Sequence, residues 1–316
     1  MPPLQLLSVA EMSTKAGSTR IVQIKPMKDA FTPRQVARAL GVSESTLKRW
    51  CDRGLLPTIR TAGGHRRLPI HGVLSFIRDN NQTLAHPELL GLPATSGQTV
   101  WVIERAREAM KEALLTGQAD ICRQIILDLY LARQPISAIG DQLLAPVFEA
   151  IGQRWQHGET QVYQEHRACE IGLDVFYELR RLLPPPAPDA PLALGGTPED
   201  DSHRLAAHLV GLVLCEAGWR VQVLGSSLPF ETLTAAMRDH RPQLLWLSVS
   251  YIADPVAFLS GYRTLYEETL RTGTALVVGG RALCLDCRQQ MQYAAFGDNL
   301  QHLDAFLATF SGRRDS

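Results

Sequence analysis

Apolar positions recur at three- and four-residue spacing through the middle of this 316-residue chain. That spacing is the signature of helices that bury one face. Few prolines interrupt it, and it predicts four helices, at residues 100–116, 118–132, 136–157 and 160–183. The sequence therefore predicts a four-helix bundle over residues 99–183.

Beyond a stiff proline-rich linker at residues 184–191, the pattern changes to short apolar segments that alternate with helical ones. Strands are predicted at residues 192–195, 220–224, 244–249, 275–278 and 293–296. Five β/α units of this length predict an α/β domain at residues 192–312, with a doubly wound, flavodoxin-like parallel sheet of five strands. A ligand is expected beyond the carboxyl ends of these strands.

Upstream of the bundle, residues 29–82 predict a winged helix-turn-helix. Thr32-Pro33 begins a first helix, Gly41-Val42-Ser43 forms a tight turn, and Ser43 caps a second helix. A glycine-hinged basic hairpin follows at residues 60–67. Residues 1–28 lack periodicity and are interpreted as a flexible N-terminal arm. Residues 83–98, with two prolines and two glycines, are interpreted as a linker.

The chain carries no net charge, but the segment from residue 31 to residue 72 holds eight Lys or Arg against two acids. A basic module on an otherwise acidic protein indicates a local binding site for a polyanion. The second helix and the hairpin supply the candidate contacts, which are Ser45, Thr46, Lys48, Arg49, Arg60, His65, Arg66 and Arg67.

Composition places the chain among ordinary globular proteins, with 45% hydrophobic and 20% charged residues. No apolar run approaches the ~20 residues of a membrane span, so no membrane association is expected. The six cysteines are scattered, which fits a reducing compartment and a cytoplasmic protein. Cys284 and Cys287 have redox or metal spacing, but no second pair completes a zinc site, and they are interpreted as a chance pair.

One candidate site lies where the predicted sheet would bind a ligand. His203 follows the first strand, and Asp201 precedes it by two residues. Such a histidine can donate one ring N–H to the carboxylate and offer its other nitrogen to a metal. The later strand ends bring Ser248, Ser250, Gly279 and Gly280 to the same edge.

A second candidate site lies at a corner of the bundle. Trp155 ends one predicted helix, Gly158 breaks the chain, and Glu165-His166 lie in the first turns of the next helix. An indole, a carboxylate and an imidazole can thus face one cavity. The alternative is a core tryptophan beside an exposed Glu-His pair.

These patterns together resemble a known family. Val-Ala-x-x-Leu-Gly-Val-Ser-x-x-Thr-Leu-x-x-Trp, with Arg-Thr-x-Gly-Gly-His-Arg-Arg after it, resembles the MerR-type DNA-binding domain. The Asp-x-His, Ser-x-Ser and Gly-Gly segments resemble cobalamin-binding domains. Trp-x9-Glu-His, in this order of domains, resembles the CarH/LitR type of light-sensing regulators.

The resemblance implies a transcriptional repressor, not an enzyme, that binds adenosylcobalamin and double-stranded promoter DNA. His203 would be the lower axial ligand of cobalt. Trp155, Glu165 and His166 would contact the adenosyl group from the four-helix cap. A homotetramer would hold the promoter in the dark, and photolysis of the cobalt–carbon bond would release it. His157 is then expected to take the upper position on cobalt.

Two departures from the family pattern leave alternatives open. Ala206 replaces the glycine that follows the histidine, and Ser250 replaces a leucine. The extra methyl of Ala206 favours, as an alternative, a cobalamin-independent regulator with a degenerate corrinoid pocket. A corrinoid carrier of a methyltransferase or mutase, or a metal-responsive MerR regulator, fits the domain set less well.

Overall fold

The structure is a computed structural model and describes residues 29–311. The arm predicted for residues 1–28 and the end of the α/β domain at residue 312 lie outside the described residues. Within the described part, the domain order is the predicted one: a winged helix-turn-helix, a helical bundle and a parallel α/β sheet.

The N-terminal domain packs three helices on a small antiparallel sheet of order β1-β3-β2. Its elements are β1 Ala30–Phe31, α1 Pro33–Ala39, α2 Glu44–Asp52, β2 Ile59–Arg60, β3 Arg66–Pro69 and α3 Ile70–Asn80. The predicted caps are present, since Thr32 and Ser43 each accept the backbone N–H three residues ahead. β2 and β3 form the wing.

The segment at residues 83–98 is packed rather than extended. It contains a 3-10 turn at Pro87–Leu90, and it buries Leu84, Leu90 and Leu92 in the core of the N-terminal domain. Three bundle leucines, Leu127, Leu131 and Leu182, complete that core. The segment therefore joins the DNA-binding module to the bundle through buried apolar contacts.

The bundle contains the four predicted helices. They are α4 Ile103–Thr116, α5 Ala119–Leu131, a third helix made of α6 Ile136–Ile139, a π-helical turn Gly140–Leu144 and α7 Ala145–Gln156, and α8 Val162–Leu182. The π-helical turn ends two residues before Pro146, which has no N–H to donate to Gln142. The carbonyl of Gln142 instead accepts a hydrogen bond from Nε of Arg107 at 2.5 Å.

The C-terminal domain is a five-stranded parallel sheet of order β5-β4-β6-β7-β8 with helices on both faces. This confirms the predicted α/β fold. Its strands are β4 Leu192–Pro198, β5 Arg220–Leu228, β6 Leu244–Ser248, β7 Ala275–Gly279 and β8 Ala295–Gly297. Its helices are α9 Arg204–Glu216, α10 Phe230–His240, α11 Pro255–Thr272, α12 Leu285–Arg288 and α13 Leu300–Ser311.

Two carboxylates tie the three domains together. Glu216 at the end of α9 accepts hydrogen bonds from Arg78 of α3 at 3.2 Å and from the N–H of Ile136 at 2.7 Å. Asp141 in the π-helical turn accepts the N–H groups of Leu300 and Gln301 at 2.9 and 3.0 Å, and so caps α13. Among residues 29–311, no helix combines the length and the apolar character needed to cross a bilayer.

Candidate functional site

The loop between β4 and α9 is held in one conformation by local hydrogen bonds. The hydroxyl of Thr197 donates to the carbonyl of Asp201. The N–H of Ser227, on β5, lies 3.0 Å from that same carbonyl and 3.0 Å from Oγ1 of Thr197. Asp200 adopts a left-handed conformation with φ of 64°. This network places Asp201 and His203 at the carboxyl edge of the sheet.

Asp201 is fully buried and organises the loop around its carboxylate. Oδ1 accepts the backbone N–H of His203 at 3.0 Å, and Oδ2 accepts those of Ser250 and Tyr251 at 2.6 and 3.1 Å. Burial disfavours the charged form, but the hydrogen bonds from His203, Ser250 and Tyr251 outweigh it and hold the pKa of Asp201 below its ordinary value. The carboxylate is therefore ionised at neutral pH.

The ring of His203 is oriented by this carboxylate. Its Nδ1 lies 2.8 Å from Oδ1 of Asp201, and its side chain is 48% exposed. The guanidinium of Arg281, which can only donate, approaches Nε2 at 3.4 Å. Because an ionised carboxylate only accepts, Nδ1 carries the proton of its hydrogen bond to Asp201, and Nε2 is the ring nitrogen left for a ligand. A neutral imidazole fixed through its second nitrogen by a carboxylate is the arrangement found at protein metal ligands.

The floor of the site is formed by the ends of β6 and β7. Ser248 pairs with Gly279 across the two strands, and Ser248 is 5% exposed. Gly280 has a φ of 124°, and a Cβ there would lie 2.2 Å from the carbonyl oxygen of Val249. No other residue type fits that position. The structure therefore brings the predicted residues Asp201, His203, Ser248, Ser250, Gly279 and Gly280 to one edge of the sheet.

The first turns of α8 extend past the start of α9. Glu170 of α8 lies 3.8 Å from Arg204, the first residue of α9, and Gly172 packs closely on Leu205. Further along, Tyr177 bonds His208 at 3.0 Å, so the two helices run side by side in the same direction. Because a helix rises 1.5 Å per residue, the eight residues of α8 that precede Glu170 reach about 12 Å beyond this contact. These residues, 162–169, are called the roof, and they extend on the side of α9 where His203 lies.

Glu165 and His166 lie on this overhanging part of α8. Their side chains approach each other to 3.6 Å, and Glu165 also accepts the thiol of Cys169 at 3.1 Å. Trp155 lies on the last turn of α7 and is 47% exposed, rather than packed in the core. His157 caps α7 and is exposed. A short loop joins the end of α7, with its exposed indole, to the start of α8.

The structure adds Arg281, a residue that the sequence did not single out. Arg281 contacts both His203 and the carbonyl of Ser250, and its position directly after Gly279-Gly280 was the available signal. Thr197 and Ser227 fix the loop through hydrogen bonds between strands that are remote in sequence. Ala206 is exposed on the first turns of α9, so its methyl group occupies no space within the protein.

The predicted DNA-binding residues lie on two adjacent elements. Lys48 and Arg49 are exposed on α2, while the hydroxyls of Ser45 and Thr46 bond Oγ of Ser43 at 2.8 and 3.0 Å. Arg60, His65, Arg66 and Arg67 lie on the wing or in its turn. Arg66 forms an ion pair at 3.1 Å with Asp52, the last residue of α2, and so fastens the wing to that helix.

Comparison with known proteins agrees with this arrangement. Residues 32–67 match the model of the MerR family regulatory protein, and residues 106–179 match that of a B12 binding domain. The HTH-type transcriptional repressor CarA of Myxococcus xanthus is 27% identical, over 78% of this chain and 85% of its own length. The repressor CarH of the same organism is 30% identical, over 78% of this chain and 87% of its own length.

A solved structure supports the fold. The monomethylamine corrinoid protein of Methanosarcina barkeri superposes with a TM-score of 0.55 at 18% identity, covering 66% of this chain and all of that protein. At that identity the likeness concerns the architecture alone. It confirms that the helical bundle followed by a parallel five-stranded sheet is a fold that corrinoid proteins use.

Proposed function

The chain belongs to the family of HTH-type transcriptional repressors that includes CarH, and we propose that it represses promoters under the control of adenosylcobalamin and light. A MerR-type DNA-binding domain and a B12 binding domain make it a cobalamin-binding transcription regulator. The adenosyl form of the cofactor, the light response and the oligomer belong to our proposal.

The observation that carries the proposal is the Asp201–His203 pair. The carboxylate is buried, ionised and bonded to Nδ1 of His203, so Nε2 is the ring nitrogen left for a ligand. A neutral imidazole nitrogen is a good cobalt ligand. A cobalt ion that is already held by a corrin ring requires one such ligand from the protein. The donor set therefore fits cobalamin.

We assign the cap residues to the upper side of the same site. Trp155 is 47% exposed, and Glu165 and His166 offer hydrogen-bonding groups from the overhanging turns of α8. We assign these three residues to the adenosyl group. Adenosylcobalamin would supply a light-sensitive cobalt–carbon bond. Exposed apolar surface on Trp155 would be covered while the adenosyl group is present, and uncovered when it leaves.

The DNA-binding side completes the proposal. One winged helix places few basic groups on a duplex, so several copies must act together for tight binding. We therefore propose a homotetramer in the dark that binds promoter DNA through α2 and the wing. Loss of the adenosyl group would change the packing under Trp155, separate the protomers and release the promoter. His157, exposed at the end of α7, remains the proposed upper cobalt ligand of the illuminated form.

The test is to load the full chain with adenosylcobalamin in the dark. We then expect a cobalamin absorption spectrum that co-elutes with the protein, a large oligomer on gel filtration, and retention of promoter DNA. Green light should change the spectrum, shrink the oligomer and release the DNA together. His203→Ala should lose the dark spectrum, while His240→Ala, an exposed histidine at the end of α10, should behave like the parent.

A specific observation favours one second candidate function. Ala206 carries a methyl group on the exposed first turns of α9, where the family pattern has glycine. If that methyl group excludes the corrin ring, the chain is a cobalamin-independent regulator. Dark and illuminated samples would then lack a cobalamin spectrum and bind DNA equally, and Ala206→Gly would restore cofactor binding.

A further inference from the structure

Two thiols form a close pair on the loop that follows β7. Cys284 precedes α12 and is exposed, whereas Cys287, three residues later, is 8% exposed. Backbone hydrogen bonds fix the turn, because the N–H of Cys284 donates to Ala282 at 3.0 Å and the N–H of Arg288 donates to Cys284 at 3.0 Å. Residues three apart on a helical turn face the same side. The turn therefore presents one accessible thiol directly beside one protected thiol.

The two thiols also differ in pKa, and the exposed thiol has the lower pKa. The N–H and the thiol of Cys287 stabilise the thiolate of Cys284 and hold its pKa below the ordinary value. Burial raises the pKa of Cys287, and the neighbouring Cys284 raises it further. The thiolate is the nucleophilic form of cysteine, so Cys284 is the attacking group of the pair.

None of the remaining four cysteines resembles Cys284. Burial raises the pKa of each of them, to about 12 for Cys122 and Cys169, and upward for Cys51 and Cys215. They also lie on separate helices, at α2, α5, α8 and α9. Geometry and reactivity therefore single out the pair on the β7–α12 loop.

We propose that Cys284 and Cys287 are a redox-active dithiol that closes to an intramolecular disulfide by exchange with a low-molecular-weight disulfide such as oxidised glutathione. This site is separate from the proposed cobalamin function and does not depend on it. In a reducing compartment the pair rests as two thiols, and it closes when the glutathione pool becomes oxidised.

The exchange balances in two steps. The thiolate of Cys284 attacks one sulfur of oxidised glutathione, forms a mixed disulfide and expels one glutathione thiolate. Cys287 then loses its proton to solvent, attacks Sγ of Cys284 and expels the second glutathione thiolate. The two cysteines are oxidised by two electrons in total, and one glutathione disulfide is reduced to two thiols.

The dithiol follows directly on the loop that borders the candidate cobalamin site. The N–H of Ala282 donates to the carbonyl of Val249 at 3.1 Å, and the N–H of Leu283 donates to Gly280 at 3.2 Å. Arg281, three residues before Cys284, contacts His203 and Ser250. Closing the disulfide thus constrains the loop that carries Gly280 and Arg281.

The experiment uses the full reduced chain without cofactor, incubated with excess oxidised glutathione and then with dithiothreitol. Free thiols are trapped by alkylation, and peptides are mapped by mass spectrometry. We expect one disulfide that joins Cys284 to Cys287 and is reversed by dithiothreitol. The other four cysteines should be recovered in alkylated form, because their thiols stay free. At neutral pH a limiting amount of iodoacetamide should modify Cys284 before any other cysteine.

Variants separate the pair from its surroundings. Cys287→Ser should accumulate the mixed disulfide of Cys284 with glutathione, because the resolving thiol is missing. Cys284→Ser should remain fully reduced, while Cys215→Ser, a half-buried thiol elsewhere, should still form the disulfide. The proposal is overturned if the unsubstituted chain keeps both thiols free, stops at the mixed disulfide, or pairs either cysteine with a different one. Peptide mapping of the unsubstituted chain decides this even where a variant fails to fold.

Discussion

At the scale of single residues, Asp201 determines the conformation of the candidate site. Its buried carboxylate accepts hydrogen bonds from its own loop and from the end of β6, so it joins two segments about fifty residues apart. An isolated buried charge would be costly, and here the hydrogen bonds offset that cost. The same carboxylate fixes the tautomer of His203, so its structural and chemical roles are inseparable.

Replacing Asp201 by asparagine should destabilise the fold by about 2–3 kcal/mol at neutral pH, since hydrogen bonds to a charged group are lost and the new amide N–H₂ faces other donors. The folded-state pKa of Asp201 lies below its ordinary value. Its stabilisation is therefore complete above the ordinary Asp pKa of about 4 and is lost as the pH falls through the folded-state pKa. Urea unfolding at several pH values measures the difference between parent and variant.

Asp200→Asn is the matched control, because Asp200 is exposed and its left-handed backbone suits asparagine. Its free energy of unfolding should stay within about 0.5 kcal/mol of the parent's. An equal loss in both variants, or a difference for Asp201→Asn that persists unchanged to acid pH, would contradict the proposed role.

The sequence was sufficient to predict the histidine and its carboxylate, because both lie within three residues of each other. It was insufficient for Arg281, which reaches His203 from a loop 78 positions later. Only the parallel pairing of β4, β6 and β7 brings those loops together. The exposure of Trp155 could not be predicted from the sequence either, because an indole at the end of a bundle helix can lie in the core or on the surface.

At the scale of elements, the close approach of β7 to the loop after β6 depends on Gly280. A side chain there meets a left-handed backbone and the carbonyl of Val249 at 2.2 Å. We expect Gly280→Ala to destabilise the α/β domain by about 2–4 kcal/mol, through strain and overpacking combined. Gly218→Ala shares the positive φ but meets open space, so its cost should be only about 1–2 kcal/mol. Thermal unfolding of the two variants gives the comparison, and equal costs would show that the contact with Val249 is relaxed.

The ion pair between α2 and the wing leads to a prediction about DNA affinity. Asp52 holds Arg66 at 3.1 Å and so competes with phosphate for the same guanidinium. Asp52→Asn should therefore tighten DNA binding and steepen the dependence of log K on log salt by about 0.9, the value for one added phosphate contact. Binding is measured by fluorescence anisotropy at several salt concentrations.

A double substitution identifies the source of that gain. With Arg66→Ala in the same chain, Asp52→Asn should leave the salt slope unchanged, because the arginine it would release is absent. A gain that survives Arg66→Ala would mean that removing any acid near the DNA is enough.

Element types were predictable where local pattern determines them. Periodicity predicted the four bundle helices, and alternation with helices predicted the parallel sheet. The π-helical turn at Gly140–Leu144 was not predictable from the apolar pattern, and neither was the hydrogen bond from Arg107 to the carbonyl of Gln142. The packing of residues 83–98 likewise depends on leucines of α5 and α8, which local composition does not reveal.

At the scale of the whole molecule, the three domains are joined by specific polar contacts in addition to buried leucines. Glu216 bonds a helix of the DNA-binding domain and the start of a bundle helix at the same time. The guanidinium of Arg78 also lies 3.9 Å from the ring centroid of Tyr130, on α5, which keeps it in place. This junction is the polar contact that links the bundle, the α/β domain and the DNA-binding domain. Transmission of a change in cap packing to the DNA-binding domain requires an element that adopts two conformations. We expect that element to lie at this junction.

We expect Glu216→Ala to uncouple the domains. The substitution removes the acceptor of the Ile136 N–H and leaves Arg78, whose side chain is 17% exposed, without its carboxylate. The loss should be about 1–3 kcal/mol, and we expect calorimetry to resolve two unfolding transitions for the variant and one for the parent. Glu231→Ala, at an exposed position in the first turn of α10, is the control and should keep the single transition. One unshifted transition in Glu216→Ala would show that the buried leucines alone hold the domains together.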